Sequence, residues 1–517
     1  TNYHNFQNSR YVTTVAATNS YGQTSSFSTP GSSILVSAFG EDVYTTCLNC
    51  AGPNDPNGYG NFSGTSAAAP VVSGIIALML EANKKLGYRD VQNILAYSAR
   101  QEISEGFKFN GANNWNGGGL HISHDQGFGL VDAHAAVRLA ESWDRPAQVA
   151  ANEQMVVRRL NNSGAIPDND TSGISFSTSI ERDLDVEWAE VELDIRHERI
   201  ADLVVELVSP SGTVSRLIDR PTSAPSNPEG IYGPYSGMPD RIIFTTSSSL
   251  FRGESSLGNW TLRVSDENAE LSGELRQWGV KLYGQEASND DIYIFTDEYQ
   301  KVADANRSAL YDAEGQDCIN AAAVTSACFI DLNDGAASQI GLSEFLIAEN
   351  VFIEDVFTGD GNDFITGNEK KNSLNSGRGN DRFIASGGDD YIDGGFGYDE
   401  IIYDANYTDF ELLQVGNLWN LVDIRSTDID LHYGRETFKS IEKLVFNDQD
   451  YELNLTNSEP VLATPIPDLS YGSDVIFDYT FDSGTFTNCQ EMSSYVSFYQ
   501  SFHLNISKGF YIPNHFQ

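Results

Sequence analysis

The residues best placed to do chemistry lie in Asn61-Phe62-Ser63-Gly64-Thr65-Ser66-Ala67-Ala68-Ala69-Pro70, just before an apolar run. A serine at a helix start is ordinarily a cap whose hydroxyl accepts a backbone N–H. Here Gly64 offers close backbone approach to a substrate, and the free N–H groups of a first turn can stabilise an oxyanion. Pro70 fits a helix start. The chemistry this arrangement suits is attack by Ser66 on a carbonyl. A second chemical feature is repeated: TGDGNDFIT, GNEKKNSLN, SGRGNDRFI, ASGGDDYID and GGFGYDEII run without a gap from Thr358 to Ile402. In each unit glycines allow a tight turn, an aspartate and turn carbonyls offer oxygen ligands, and an apolar residue enters a core: Ile365, Leu374, Phe383, Ile392 or Ile401. Hard oxygen ligands in this pattern suit calcium. Stacked units bring every second turn to one edge, so Asp363, Asp381 and Asp399 should line one edge as two sites sharing Asp381. Asn372 and Asp390 fall on the other edge, and Lys370 replaces a turn glycine there, so that site should be weaker or empty.

Elements of several kinds must position these groups. From Thr1 to about residue 145 short apolar strands, Tyr11 to Ala17 and Ile34 to Ala38, alternate with helical stretches, an α/β pattern. Val71 to Leu86 reads as a helix nearly apolar all round and therefore buried; a second helix follows the cap candidate Asp90, and a third begins near Asp132. Residues 146–286 change character: Ala189, Val191, Leu193 and Ile195 alternate with acidic residues, and turn clusters separate further strands, the pattern of a β-sandwich. A β-rich lead-in, 287–357, precedes the repeats of 358–402; a strand-rich cap, 403–457, follows them, and 458–517 opens another segment. The chain of 517 residues is thus multidomain. Its 73 acidic and 31 basic residues, net charge −42, repel nucleic acid and anionic lipid and favour cations. The apolar run Val71 to Leu80 is too short to span a bilayer at about 20 residues. Two closely spaced cysteine pairs, Cys47 with Cys50 and Cys318 with Cys328, suit local disulfides in an oxidising compartment, leaving Cys489 single; zinc lacks its usual four ligands.

The string around Ser66 resembles the nucleophile motif of subtilisin-like serine proteases. Leu80-Glu81-Ala82-Asn83, Tyr88-Arg89-Asp90-Val91-Gln92 and Gly127-Phe128-Gly129-Leu130-Val131-Asp132-Ala133 narrow the likeness to the kexin and furin branch. Asp202 to Thr213 and Gly258-Asn259-Trp260-Thr261-Leu262 are similar to the P domain, a jelly-roll sandwich that accompanies those catalytic domains. The repeats, with Asp331-Leu332-Asn333-Asp334-Gly335 before them and Ile441 to Asp448 after, resemble the calcium-binding parallel β-roll of serralysin-type bacterial exoproteases. There the roll aids secretion and folding. Pro460 to Thr487 is similar to the opening strands of a cadherin-like surface module, with an atypical tail from Asn488.

The resemblance implies a secreted, calcium-dependent endopeptidase acting on protein or peptide substrates, extracellular or on a bacterial cell surface, with secretion machinery as a partner. It places the triad histidine and aspartate and the oxyanion asparagine upstream of Thr1, so residues 1–145 resemble the last third of a catalytic domain and the chain alone should be inactive. Where the kexin pattern has Asp-Gly-Tyr, with the aspartate lining the pocket for a basic side chain, this chain has His4-Asn5-Phe6, which puts arginine specificity in doubt. His121, His124 and His134 are expected to be structural. The competing reading is a non-catalytic calcium-binding surface or adhesion module; upstream sequence with an Asp-Ser/Thr-Gly strand end and a His-Gly-Thr helix start separates the two.

Overall fold

In the computed structural model the described residues are 6–46, 58–102, 106–220, 241–269, 271–312, 314–425 and 432–453, with four two-residue strands in the tail. His4, Cys47, Cys50, Cys489 and almost all of the cadherin-like segment lie outside them. The chain divides into two compact units, residues 1–360 and 361–517.

The first unit opens with two parallel strands, β1 (Thr14–Thr18) and β2 (Ile34–Phe39), then an antiparallel hairpin of β3 (Val43–Thr46) and β4 (Tyr59–Phe62). Helices α1 (Thr65–Ala82), α2 (Tyr88–Ser98) and α3 (Ala133–Glu141) follow. Asp132 caps α3, its carboxylate accepting Ala135 N–H at 3.0 Å. Asp90 is not a cap. It is the third residue of α2 and accepts the N–H of Gly87, the actual cap, at 2.7 Å, while its other contacts are Trp143 Nε1 at 3.0 Å and Gln148 N at 2.8 Å. Helix α1 also departs from expectation. It begins at Thr65, ends at Ala82, and buries only the stripe Ala67, Ala68, Val72, Ile75 and Met79 against β1, β2 and α3. Val71, Leu78 and Leu80 are exposed. A continuous apolar run states that a helix can be buried on every side, not that the fold covers every side. At 18 residues α1 is long and apolar enough to cross a membrane by length and composition, although its inner stripe is packed on protein.

Residues 154–286 form two facing antiparallel sheets. One has the order Arg241–Ser248, Leu184–His197, Gly273–Glu286, Gln154–Leu160; the other, Val214–Asp219, Leu203–Val208, Gly258–Asp266, Asp170–Ile180. The alternation read along the sequence is the alternation of burial: Ala189, Val191, Leu193 and Ile195 point into a core with Trp260, Leu262 and Trp278. A buried ion pair ties this sandwich to α2. Arg89, 2% exposed, donates from Nε and Nη2 to the two oxygens of Glu187, 8% exposed, both at 2.7 Å. Glu187→Ala would leave a buried guanidinium uncompensated and is expected to cost about 3–5 kcal/mol. A fall in the urea midpoint with an unchanged slope reads it; replacing both residues with apolar ones should cost much less.

Between the sandwich and the repeats, Ile292–Thr296 pairs in parallel with Cys318–Ala323, and that strand with Asp355–Phe357. Cys318 and Cys328 open strands of different sheets and are two separate buried thiols, so the expected disulfide between them does not form. Their short spacing spans a crossover, not a local loop.

In the second unit the repeats give three-residue strands: Phe364–Thr366, Ser373–Asn375, Arg382–Ile384, Tyr391–Asp393 and Glu400–Ile402. Each of the first three pairs in parallel with the strand 18 residues on, so successive strands alternate between two sheets. Ile365, Leu374, Phe383, Ile392 and Ile401 are all buried between the sheets. Beyond the repeats Arg435–Lys439 continues one sheet and Lys443–Val445 the other.

Candidate active site and cation edge

Ser66 is the second residue of α1 and is exposed. The helix start is held at the carboxyl ends of the parallel pair: Gly64 N–H donates to Gly40 O at 2.8 Å and Gly40 N–H to Thr18 O at 2.9 Å. A Cβ at Gly40 would stand 2.7 Å from Ala17 Cβ and 2.9 Å from Gly64 O, so glycine is what lets the helix close onto the strands. At Gly64 the nearest atoms to a Cβ are Ser66 N at 3.7 Å and Phe62 Cζ at 4.0 Å, which leaves open ground beside the serine. Pro70 is not in the first turn but sixth in the helix, so the Ser66 carbonyl receives no bond from the residue four on. A hydroxyl on a first helical turn, at the end of parallel strands and facing open space, is placed to attack a carbonyl whose oxygen meets the turn's free N–H groups.

Among the described residues no histidine is hydrogen-bonded to Ser66. His121 is buried between the rings of Trp115 and Phe107, at 4.8 and 5.4 Å, and burial pulls its pKa down to about 3. His124 Nε2 accepts Arg216 N–H at 2.8 Å, and burial lowers it to about 4. His134 lies 2.7 Å from Asp360, which raises its pKa, and His197 lies 3.1 Å from Asp266. His432 Nδ1 accepts Gly434 N–H at 3.1 Å. Every histidine whose side chain is described thus has its partners away from Ser66.

Along the stack the aspartates form a ladder. Asp363 N–H donates to Asp381 Oδ1 at 2.7 Å, and Asp381 N–H to Asp399 Oδ1 at 2.8 Å. All three residues are at most 2% exposed, and Asp381 Oδ2 and Asp399 Oδ2 are buried without a hydrogen-bond partner. Burial, with neighbouring carboxylates adding to it, pushes Asp381 up to about 7 and Asp399 to about 9. The other edge is satisfied differently. Asn372 N–H donates to Asp390 Oδ1 at 2.8 Å, Ser386 Oγ to Asp390 Oδ2 at 3.1 Å, and Asn372 Oδ1 already accepts Asn368 N–H at 2.8 Å. Burial takes Asp390 to about 6. One residue of the first ladder escaped the sequence reading: Asp399 N–H donates to Glu442 Oε2 at 2.7 Å. Its only sequence signal is that Glu442 immediately precedes the strand Lys443–Val445, as Asp399 precedes Glu400–Ile402.

Residues 1–129 match the subtilase family, residues 186–282 the proprotein convertase P-domain, and residues 276–443 the peptidase M10 serralysin C terminal family. In order along the chain these matches are to a subtilase, a convertase P domain and a serralysin-type C terminus. The chain is 36% identical over 236 residues to human proprotein convertase subtilisin/kexin type 6, covering 43% of this chain and 22% of that protein. It is 27% identical to Saccharomyces cerevisiae kexin over 319 residues, 59% of this chain and 36% of kexin. It therefore spans between about a fifth and about a third of these relatives. Among solved structures it is similar to a serine protease of Aeromonas sobria, with a TM-score of 0.46 and 27% identity over 53% of this chain and 57% of that one.

Proposed function

We propose that the chain is the nucleophile-bearing part of a secreted, calcium-dependent serine endopeptidase of subtilisin/kexin type, in which Ser66 attacks a peptide carbonyl. The observation that carries this reading is Ser66 exposed on the first turn of α1, beside open ground at Gly64. The Oγ–carbon bond forms as the hydroxyl proton passes to a base, the amine leaves with that proton, and water then releases the acid. The base and the carboxylate that orients it come from outside the residues described. The homology to convertases and kexin supports a protein or peptide substrate and a secretory or extracellular setting. We read the sandwich as the jelly roll of a P domain, and residues 358–402 as a parallel β-roll holding calcium at Asp363, Asp381 and Asp399, with Asp390 on a weaker edge. Their buried carboxylate oxygens fit a hard cation; when bound, calcium supplies charge compensation and leaves the attack on the carbonyl to Ser66.

Fluorophosphonate treatment of the protease as secreted by its source, followed by peptide mass spectrometry, is expected to place the adduct on Ser66 and to lose it in Ser66→Ala. An adduct on any other serine would overturn the assignment. At His4 we propose a pocket without the anion that recognises arginine. A peptide library should then show weaker discrimination for arginine than convertases do, and a strong arginine preference unaffected by His4→Asp counts against it.

A further inference from the structure

The cation edge does not end with the repeats. The ladder that links Asp363 to Asp381 and Asp381 to Asp399 takes one more step, from Asp399 N–H to Glu442 Oε2. The backbone follows it. Arg382 N–H donates to Asp363 O at 2.9 Å, Glu400 N–H to Asp381 O at 3.0 Å, and Lys443 N–H to Asp399 O at 3.1 Å. On the opposite strand, Ser376 N–H donates to Asp393 O at 3.1 Å and Gly394 N–H to Lys439 O at 3.2 Å. Glu442 therefore stands where a fourth aspartate of this edge would stand.

The turn that carries it is not a repeat turn. Six residues, 394–399, join Tyr391–Asp393 to Glu400–Ile402, whereas only three, 440–442, join Arg435–Lys439 to Lys443–Val445. Two substitutions suit the shorter path. Ser440 takes a φ of +53°, the left-handed region that Gly377 and Gly395 occupy at +86° and +78° in the repeat turns. Glutamate adds one methylene, which restores the reach that the missing residues remove.

The oxygens converge. A Cβ placed on Gly394 would lie 2.0 Å from Ser440 O and 2.6 Å from Asp399 Oδ2. Asp399 is 0% exposed, and this Oδ2 has no hydrogen-bond partner. A buried carboxylate oxygen and a strained-turn carbonyl converging beside Gly394, with a second carboxylate held on the Asp399 backbone N–H, offer oxygen donors for a hard divalent cation.

We propose that Asp399, Glu442 and the Ser440 carbonyl form a further calcium site that closes the cation edge outside the nonapeptide repeats. The site rests on the reading of that edge as a calcium edge. It makes the cap a participant in metal binding: the last repeat is locked by a cation shared with residues 440–442.

Isothermal titration calorimetry with calcium on the full chain, beside its Asp381→Ala and Glu442→Gln variants, separates the two claims. The expected result is a stoichiometry lowered by one in Glu442→Gln, with the circular dichroism of the calcium-loaded chain unchanged, and lowered also in Asp381→Ala. Unchanged stoichiometry in Glu442→Gln with a loss in Asp381→Ala overturns the closing site and leaves the edge standing; no loss in either variant overturns the edge itself. Should Glu442→Gln fail to fold, Glu442→Asp keeps the charge and withdraws the oxygens. It is then expected to weaken one site about tenfold or more while the others hold their affinity, and unweakened binding overturns the inference.

Discussion

At pH 9 in excess chelator the repeat stack is expected to lose its β signal in circular dichroism and its calorimetric transition, while the Arg89–Glu187-linked first unit keeps its own. One large apolar residue per unit is all the core that opposes the buried charges. Its strands are three residues long, and each turn brings a buried carboxylate to the next. Two such charges about 4 Å apart repel by roughly 4 kcal/mol at an effective dielectric of 20. Bound calcium would convert that repulsion into attraction. At a hundredfold excess over its dissociation constant each site adds about 2.7 kcal/mol. The two proposed sites sharing Asp381 would thus contribute as much as the lower range of a whole domain's stability, about 5 kcal/mol. Asp381→Ala, which breaks both, should be the most damaging single change in the stack. A β signal that survives chelation at pH 9, or calcium binding untouched by Asp381→Ala, is the result that defeats this account.

What the sequence made legible, and what it hid, follows from the range of the interactions. The nonapeptide spacing fixes which side chains face inward, because a strand alternates sides and a nine-residue period returns each core position to the same place. Ile365 through Ile401 could therefore be read directly, and so could the aspartate ladder. The strand from Leu184 to His197 was legible for the same reason. Glu442 was not, since it joins the edge through the pairing of Lys443–Val445 with Glu400–Ile402, 43 residues apart, and no local period announces that. Local spacing also misled. Cys318 and Cys328 are near in sequence but begin strands in different sheets, and Asp90 stands at the third position of α2 because Gly87 caps it. For α1, hydropathy gave the helix but not its exposed side, which depends on what the fold lays against it.

The calcium-free chain should be more stable in acid than in base, and calcium should reverse that order. Folding raises Asp381 to about 7, Asp390 to about 6 and Asp399 to about 9, with burial the first cause in each, whereas the unfolded chain holds an aspartate near 3.9. A raised folded value means that the folded state holds its proton more tightly. The stabilisation is therefore fully present below about pH 4 and is lost as pH climbs through the folded values, between about 6 and 9. For Asp381 alone the rise corresponds to about 4 kcal/mol once both states are ionised. Calcium needs the ionised carboxylates, so its contribution grows over the same interval in which the protonated stack fails. Melting temperatures of the stack's transition, followed from pH 4 to pH 9 in chelator and in calcium, should trace two curves that cross. Asp399→Asn, which keeps the shape but neither titrates nor carries the charge, should flatten the chelator curve at its alkaline end and lower the calcium curve there. A chelated stack that instead gains stability from pH 5 to pH 9 would mean that these carboxyls are not buried against one another, and the cation edge would have to be abandoned with them.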